Sequence, residues 1–249
     1  MASTVKAKGK NVAGLKAKQK IKVTKDGPYL VLGVVPLDKQ IISTEGTDVP
    51  LCYRKGEDFP KQQSYALCRC GHSVSPPFCT GKHTEVGFVG TEKASNKKFQ
   101  ELSDTTKGPR LDLKDAVVFC ASGRFCDSGK GTWEYTKESD NPISKKLATE
   151  QACNCPSGRL VIFDKKTKKA IEPDFKPSIS ILEDPQANSS GPIMVKGGIP
   201  VESASGKQYE RRNRVTLCRC GHSQNKPFCD GTHLQIFFDD GDKRIKRKE

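Results

Sequence analysis

The sequence predicts an α+β fold made of two small β-rich modules, and three observations support this class. A segment of short β-type runs broken by glycine and proline occurs twice, at residues 27–37 and 191–201. A motif rich in cysteine and histidine also occurs twice, and its last two such residues are spaced for one face of a short helix. Only 34% of the residues are hydrophobic, which is low for one large core. Small metal-stapled units fit this composition better.

The duplication is the strongest organisational feature of the chain. Gly27 to Leu37 aligns with Gly191 to Val201, and each copy gives a β-type run, a glycine break, and then a proline followed by an apolar residue. The copies are offset by 164 positions here and by 150 positions at the cysteines. The first copy therefore has fourteen extra residues between its strand and its motif.

The second motif runs C-x-C-x8-C-x3-H through Cys218, Cys220, Cys229 and His233. Alternate side chains of an extended segment share a face, so Cys218 and Cys220 can bind one metal from the same side. The eight residues that follow are rich in turn formers and predict a loop. Cys229 and His233 are one helical turn apart, with Asp230 placed to cap the first turn of a short helix.

Three thiolates and one imidazole suit either a tetrahedral zinc ion or a binuclear iron–sulfur cluster. Zinc sites usually take their first cysteine pair as C-x2–4-C. The C-x-C spacing therefore favours iron–sulfur, and zinc stays open as the alternative.

The second motif resembles that of the CDGSH iron–sulfur (NEET-type) family, at Cys218, Cys220, Ser223, Pro227 and the run Cys229-Asp230-Gly231-Thr232-His233. The resemblance implies a redox-active [2Fe-2S] cluster with two cysteines on one iron, and Cys229 and His233 on the other. The far nitrogen of His233, if exposed, could then take up a proton on reduction. Single-copy relatives bury the apolar face of the module against a second subunit. Because both copies lie in one chain here, we expect them to pack as an intramolecular pseudo-dimer.

The first motif keeps the same ligand positions, Cys68, Cys70, Cys79 and His83. It departs from the family pattern at Thr80, which replaces an aspartate but can also cap a helix, and at Lys82, which replaces a small residue. Both changes make the surroundings more positive, which should raise the potential of this site relative to the second. Alternatively, Lys82 extends into water and has little effect.

Three residues follow the second cysteine of each motif. We expect His72 and His222 to lie outside the ligand set, because the family places its histidine ligand at the last position. Glycine lets the backbone approach a sulfur closely, and serine can donate a hydrogen bond to cluster sulfur. These supporting positions are Gly71, Gly221, Ser73 and Ser223.

The region between the repeats, residues 109–176, carries four more thiols: Cys120, Cys126, Cys153 and Cys155. Four thiols without histidine admit a [4Fe-4S] or [3Fe-4S] cluster, an all-thiolate zinc site, or reduced structural thiols. The Cys-Pro-Ser-Gly step at residues 155–158 resembles the last ligand of a ferredoxin half-site, and the segment resembles a divergent mono-cluster ferredoxin-like domain. Whether Cys153 or Cys155 is the fourth ligand, or whether only three bind, stays open.

The expected order of domains follows from these features. It is a basic disordered tail at 1–20, CDGSH module 1 at 21–108, the ferredoxin-like segment at 109–176, CDGSH module 2 at 177–238, and a charged tail at 239–249. Residues 1–25 carry eight lysines and no acidic residue, so more than half of the formal net charge of +14 lies in this stretch. This tail predicts a solvated arm, and an organelle-targeting or polyanion-binding role stays open.

These features predict an iron–sulfur protein that acts in electron transfer, cluster transfer or both. Its partners would be redox or cluster-acceptor proteins. We expect a monomer with no membrane span, located inside the cell, in the cytoplasm unless the tail is an organelle address. We expect no enzyme activity of its own, because the sequence lacks a Rossmann or P-loop fingerprint and every histidine lies in a motif. The alternative is a colourless, zinc-stapled basic adaptor that binds nucleic acid or protein.

Overall fold

A computed structural model describes residues 18–44, 49–243 and 245 of the chain. The strands are β1 (Lys20–Val23), β2 (Tyr29–Leu32), β3 (Leu37–Ser43), β4 (Cys52–Asp58), β5 (Ser64–Leu67), β6 (Asp104–Lys107), β7 (Leu111–Asp115), β8 (Leu160–Asp164), β9 (Ala170–Ile171), β10 (Ser178–Asp184), β11 (Ser189–Lys196), β12 (Val201–Glu202) and β13 (Arg214–Leu217). The helices are α1 (Lys82–Glu85), α2 (Phe99–Leu102), α3 (Thr132–Lys137), α4 (Pro142–Asn154) and α5 (Thr232–Gln235). Most of the basic tail predicted at 1–20 lies outside the described residues, as does part of the charged tail at 239–249.

The predicted mixture of small sheets and few helices is confirmed. The first sheet has the strand order β12-β1-β2-β5, the second β13-β11-β10-β3-β4, and the third β6-β7-β8-β9. None of the helices in the described part of the chain has the length and apolarity that a membrane crossing requires.

The first sheet takes one strand, β12, from the second copy of the repeat, and the second sheet takes two strands, β3 and β4, from the first copy. After Pro36 the chain of the first copy continues as β3 and pairs in parallel with β10 of the second copy, with Leu37 opposite Ile179. The second copy contributes a strand in the same way: β12 pairs in parallel with β1 of the first copy, with Val201 opposite Ile21. The amides of Ile179 and Ile21 each donate to a proline carbonyl of the other copy, at 2.9 Å in both cases. Each of these sheets is therefore completed by one or two strands from the other copy.

One hydrophobic core lies between these sheets and draws on both copies. The first copy contributes Ile21, Val31 and Leu67, and the second contributes Ile193 and Leu217, all fully buried. The strands place these side chains inside because buried and half-buried residues alternate, as in β2. Because the two copies share one core, packing changes in one copy reach the other.

The third sheet belongs to the region between the repeats and has a core of its own, built around Leu111, Leu113 and Leu160. Its first strand, β6, lies in the range that the sequence assigned to the first module. Helix α4 begins where Asn141 accepts hydrogen bonds from the amides two and three residues on, at 2.8 and 3.3 Å. The buried guanidinium of Arg214 donates to two carbonyls at the end of this helix, both at 2.7 Å, and so joins the region to β13.

Candidate metal centres

Each repeated motif brings its predicted ligands together in two pairs. The Sγ atoms of Cys68 and Cys70 lie 3.7 Å apart, and those of Cys218 and Cys220 lie 3.8 Å apart. All four thiols are buried, directly after β5 and β13. The two groups of four are called site 1 and site 2: site 1 is Cys68, Cys70, Cys79 and His83, and site 2 is Cys218, Cys220, Cys229 and His233.

The spacing predicts that the second pair of each site shares one face of a short helix, but only the histidine lies on a helix. Helices α1 and α5 begin at Lys82 and Thr232, three residues after Cys79 and Cys229. These two ligands of each site are called the helical pair. The distance from cysteine Sγ to histidine Nδ1 is 3.4 Å both for Cys79 and His83 and for Cys229 and His233. Nδ1 is thus the nitrogen that faces the thiol, and Nε2 is the far one. The loop between the pairs folds back so that the amides of Cys79 and Cys229 donate to carbonyls of β5 and β13, both at 2.9 Å.

The two pairs of each site match the ligand requirement of a binuclear cluster. Each iron of a [2Fe-2S] cluster takes two protein ligands, and the two pairs of each site supply them. Burial raises the pKa of Cys229 well above its usual value and that of Cys70 to about 11. Metal binding at these thiols therefore displaces protons.

The two glycines of the motifs have a different role from the predicted one. Gly71 and Gly221 have left-handed φ values of 84° and 83°. A Cβ on Gly71 would lie 2.7 Å from the carbonyl oxygen of Cys220, and one on Gly221 would lie 2.6 Å from that of Cys70. The close approach that glycine permits is therefore to the backbone of the other copy, and the two ligand loops meet at this point.

The serines also differ from the prediction. Ser223 Oγ donates to the carbonyl of Phe228 at 2.7 Å, and Ser73 Oγ donates to that of Phe78 at 2.5 Å. A hydroxyl has one proton, so these serines hold the loop closed instead of donating to sulfur. His72 and His222 are exposed.

The two sites differ most in how deeply the helical pair is buried. Cys229 and His233 are only 3% and 4% exposed, whereas Cys79 and His83 are half-buried. The sequence predicts proton uptake at His233 only if its far nitrogen is exposed. His233 is buried, so this requirement is not met. Burial and then the nearby Arg219 lower the pKa of His233 to about 4, so the imidazole is neutral near pH 7.

A loop from the middle region accounts for this difference. A Cβ on Gly231 would overlap Ser122 Oγ and would lie 3.4 Å from the carbonyl of Cys120, whereas one on Gly81 would meet nothing within 4 Å. The two glycines have matching φ values of 87° and 83°. Site 2 is thus covered at a position where site 1 is open.

The arginine between the first two cysteines of each motif is a supporting residue that the sequence reasoning missed. Arg219 is 2% exposed; it donates to Glu183 at 2.9 Å and also pairs with Asp240. Arg69 is equally buried but donates to the carbonyls of Thr24 and Gly90. The sequence signal that could have identified these arginines is the Cys-Arg-Cys run, which occurs in both motifs.

The two departures of the first motif have local explanations. Asp230 accepts hydrogen bonds from the Gln224 amide at 2.7 Å and the Thr232 hydroxyl at 2.7 Å. Burial opposes its ionisation, but these hydrogen bonds keep the pKa of Asp230 below its usual value. Thr80 does not cap α1, and its hydroxyl makes two long contacts of 3.4 Å, with the Val74 amide and the Ser73 hydroxyl. Lys82 pairs with Glu85 at 2.5 Å on the surface, so its charge is partly offset there.

Three of the four middle cysteines line one cavity of about 160 Å³: Cys120, Cys126 and Cys155. Cys153 does not, and its Sγ lies 3.8 Å from the carbonyl of Ile171. The reason is that α4 runs to Asn154, and residues two apart around a helix end point in different directions. Of the alternatives left open for this region, the cavity favours three thiols, with Cys155 and not Cys153 among them.

The cavity also contains a positively charged donor. Arg159 makes two hydrogen bonds to Asp115, at 2.6 and 2.8 Å, and its remaining NH1 donates to Cys120 Sγ at 3.1 Å. Trp133 packs against the guanidinium, with 5.4 Å between Cζ and the ring centroid. Asp115 and Trp133 together fix the direction of the hydrogen bond to sulfur.

The comparison with protein families agrees with the duplication. Residues 26–84 and 190–234 each match the family described as iron-binding zinc finger, CDGSH type. Members of this family bind iron–sulfur clusters, typically [2Fe-2S]. The two matches cover the two copies of the repeat and are consistent with two CDGSH copies in the chain. No curated protein and no solved structure matches the chain.

Proposed function

We propose that the chain is a carrier that binds one [2Fe-2S] cluster at each of sites 1 and 2 and transfers electrons, clusters or both to an acceptor protein. The observation that carries this proposal is the paired arrangement of three thiols and one imidazole at each site. The cysteine pair of each site would hold one iron, and the cysteine–histidine pair would hold the other through Sγ and Nδ1. The cluster supplies one-electron redox chemistry when bound.

The residues around the pairs support such a site in three ways. The hydroxyls of Ser73 and Ser223 close the ligand loops, and the buried Arg219 fixes the second loop against β10 and β11 through the Leu182 and Gly191 carbonyls, at 3.0 and 2.9 Å. The imidazole of His233 is neutral near pH 7, the form in which a histidine can bind a metal. These features preorganise the ligands, which favours binding without a large rearrangement.

The two CDGSH modules form an intramolecular pseudo-dimer in this proposal. The exchanged strands β3 and β12 and the contact of Gly71 and Gly221 with the opposite ligand loop support it. Tyr29 of the first copy adds a further link, because its hydroxyl lies 2.9 Å from the carbonyls of both Cys218 and Pro227. The chain would thus provide in one molecule what single-copy modules obtain from a second subunit.

The middle cavity is proposed as a third centre, held by Cys120, Cys126 and Cys155. Three thiolates suit a [3Fe-4S] cluster, or a [4Fe-4S] cluster whose fourth iron takes a ligand that is not one of these cysteines. The hydrogen bond from Arg159 would stabilise negative charge on the Cys120 sulfur. The likeness to a ferredoxin-like domain is part of this proposal.

Anaerobic purification with quantitation of iron, acid-labile sulfide and zinc tests the proposed function. We expect a reddish-brown protein with equal iron and sulfide at sites 1 and 2, and with an EPR signal after reduction. A colourless protein that contains zinc and no sulfide would contradict the proposal and favour the zinc-stapled adaptor. We also expect no turnover of its own, because all four histidines belong to the motifs.

A further inference from the structure

We propose that the loop at residues 118–124, the cover loop, seals site 2, so that the chain releases iron from site 1 and retains it at site 2. This inference rests on the proposed function, since it requires iron at both sites. The two otherwise similar sites then have different roles: site 1 exchanges iron with an acceptor, and site 2 retains its iron.

The cover loop contacts the segment that carries the ligands of site 2 at three points. At its start, Asn225 Nδ2 donates to the Val118 carbonyl at 2.9 Å. The rings of Phe119 and Phe228 then meet edge to face, with 5.4 Å between centroids. Farther on, Ser122 lies against Gly231, which is between the ligands Cys229 and His233. The helical ligand pair of site 2 is therefore buried under a segment about a hundred residues earlier in the chain.

The other side of the cover loop is also fixed. Arg124 makes two hydrogen bonds to the carboxylate of Asp184 at the end of β10, at 2.8 and 2.7 Å. Asp184 is only 2% exposed, so this ion pair is shielded from solvent. Two cysteines line the middle cavity here: Cys120, which belongs to the cover loop, and Cys126, which lies two residues after its end. A metal held there would tie the loop to the middle region as well.

The matching positions of site 1 carry no such cover. Ser75 replaces Asn225, and a Cβ on Gly81 would meet nothing within 4 Å. Phe78 packs against Phe59 and Tyr65 of its own copy. An acceptor or a chelator can thus approach His83 from solvent, while the same approach to His233 requires the cover loop to move.

Iron release to a ferrous chelator, measured anaerobically with a reductant, tests the inference. In one full-length form Cys79→Ala and His83→Ala leave site 2 as the only intact CDGSH site, and in the other Cys229→Ala and His233→Ala leave site 1. The middle region is present in both forms, so its contribution cancels in the comparison. We expect release from site 1 to be at least about tenfold faster.

Two variants in the otherwise native chain test the role of the cover loop directly. Iron release from sites 1 and 2 of the native chain should be biphasic. Ser122→Gly should accelerate only the slow phase, severalfold. Ser122 has a φ of 51°, which glycine adopts freely, so this change removes the covering hydroxymethyl group without adding strain. Asn225→Ala should act in the same direction, and the matched change Ser75→Ala at site 1 should leave both phases unaltered.

The outcomes separate this inference from the proposed function. Absence of iron and sulfide from both single-site forms would overturn the proposed function and this inference with it. Iron and sulfide in both forms with equal release rates would overturn this inference alone. Release from the native chain that Ser122→Gly and Asn225→Ala leave unchanged would also overturn it, whether or not the single-site forms fold.

Discussion

Sites 1 and 2 have the same ligands, the same spacing and nearly the same ligand distances, yet their surroundings differ. In site 2 the helical pair lies under the cover loop and the arginine of the motif is paired with two carboxylates. In site 1 the helical pair is half-exposed and the arginine donates only to carbonyls among the contacts described for it. The comparison shows that a duplicated motif fixes which ligands meet, whereas residues far away in the chain decide how the site is sealed and charged.

The largest expected effect concerns the middle cavity that holds the cover loop. Cys155→Ala removes one of three converging thiols and should abolish metal binding there. It should also speed iron release from site 2, because the cover loop then loses a fastening point. Iron quantitation with chelator kinetics measures both effects. Cys153→Ala is the matched control and should retain the metal; equal loss in both variants would show that Cys153 is a ligand.

The arginines of the two motifs should differ in their contribution to stability. Arg219→Ala removes the guanidinium that pairs with the buried carboxylates of Glu183 and Asp240, and loss of one partner of a buried ion pair costs about 3–5 kcal/mol. Arg69→Ala leaves only carbonyls without donors, which costs about 1–3 kcal/mol. Denaturant unfolding of the metal-loaded protein gives both values. Equal losses of stability in the two variants would show that pairing with Glu183 and Asp240 does not make Arg219 contribute more than Arg69.

The next comparison isolates the contact between the cover loop and site 2. Alanine in the left-handed region costs about 1–2 kcal/mol at either Gly81 or Gly231. Gly231→Ala should cost about 1–3 kcal/mol more, because its methyl group overlaps Ser122. Unfolding measurements on the two variants test this.

The double variant Gly231→Ala with Ser122→Gly provides the control. It should remove the excess cost and leave the backbone strain, since the overlapping hydroxyl is gone. An unchanged excess would show that the cover loop does not press on Gly231.

The smallest expected effect is on the potential of site 1. Thr80→Asp restores the carboxylate that Asp230 supplies at site 2, and a negative charge near the cluster disfavours its reduction. The midpoint potential of site 1 should fall by on the order of 59 mV, equivalent to a tenfold change in the reduction equilibrium. A spectroelectrochemical titration of the form with site 1 alone measures this shift. A potential that stays the same or rises would contradict the charge argument.

The sequence predicted the α+β class and the pairing of ligands within each motif, because both depend on local spacing. It could not separate Cys153 from Cys155, since the same C-x-C spacing places side chains together in an extended segment and apart at the end of a helix. It also could not predict the burial of His233, because the covering residue Ser122 lies more than a hundred positions away and carries no local signal. The exchange of β3 and β12 depends on tertiary pairing, and the sequence suggested close packing of the copies only through a family resemblance.

The most direct test of the central claim is the metal content of the chain in which Cys120, Cys126 and Cys155 are all alanine. Mössbauer spectroscopy of iron-57-enriched protein, with sulfide and zinc quantitation, would count the metals at sites 1 and 2 without the middle centre. Two irons and two sulfides per site are expected. One iron of each pair should have two cysteine thiolates as its protein ligands, and the other should be distinguished by its histidine. One zinc per site without sulfide would contradict the account.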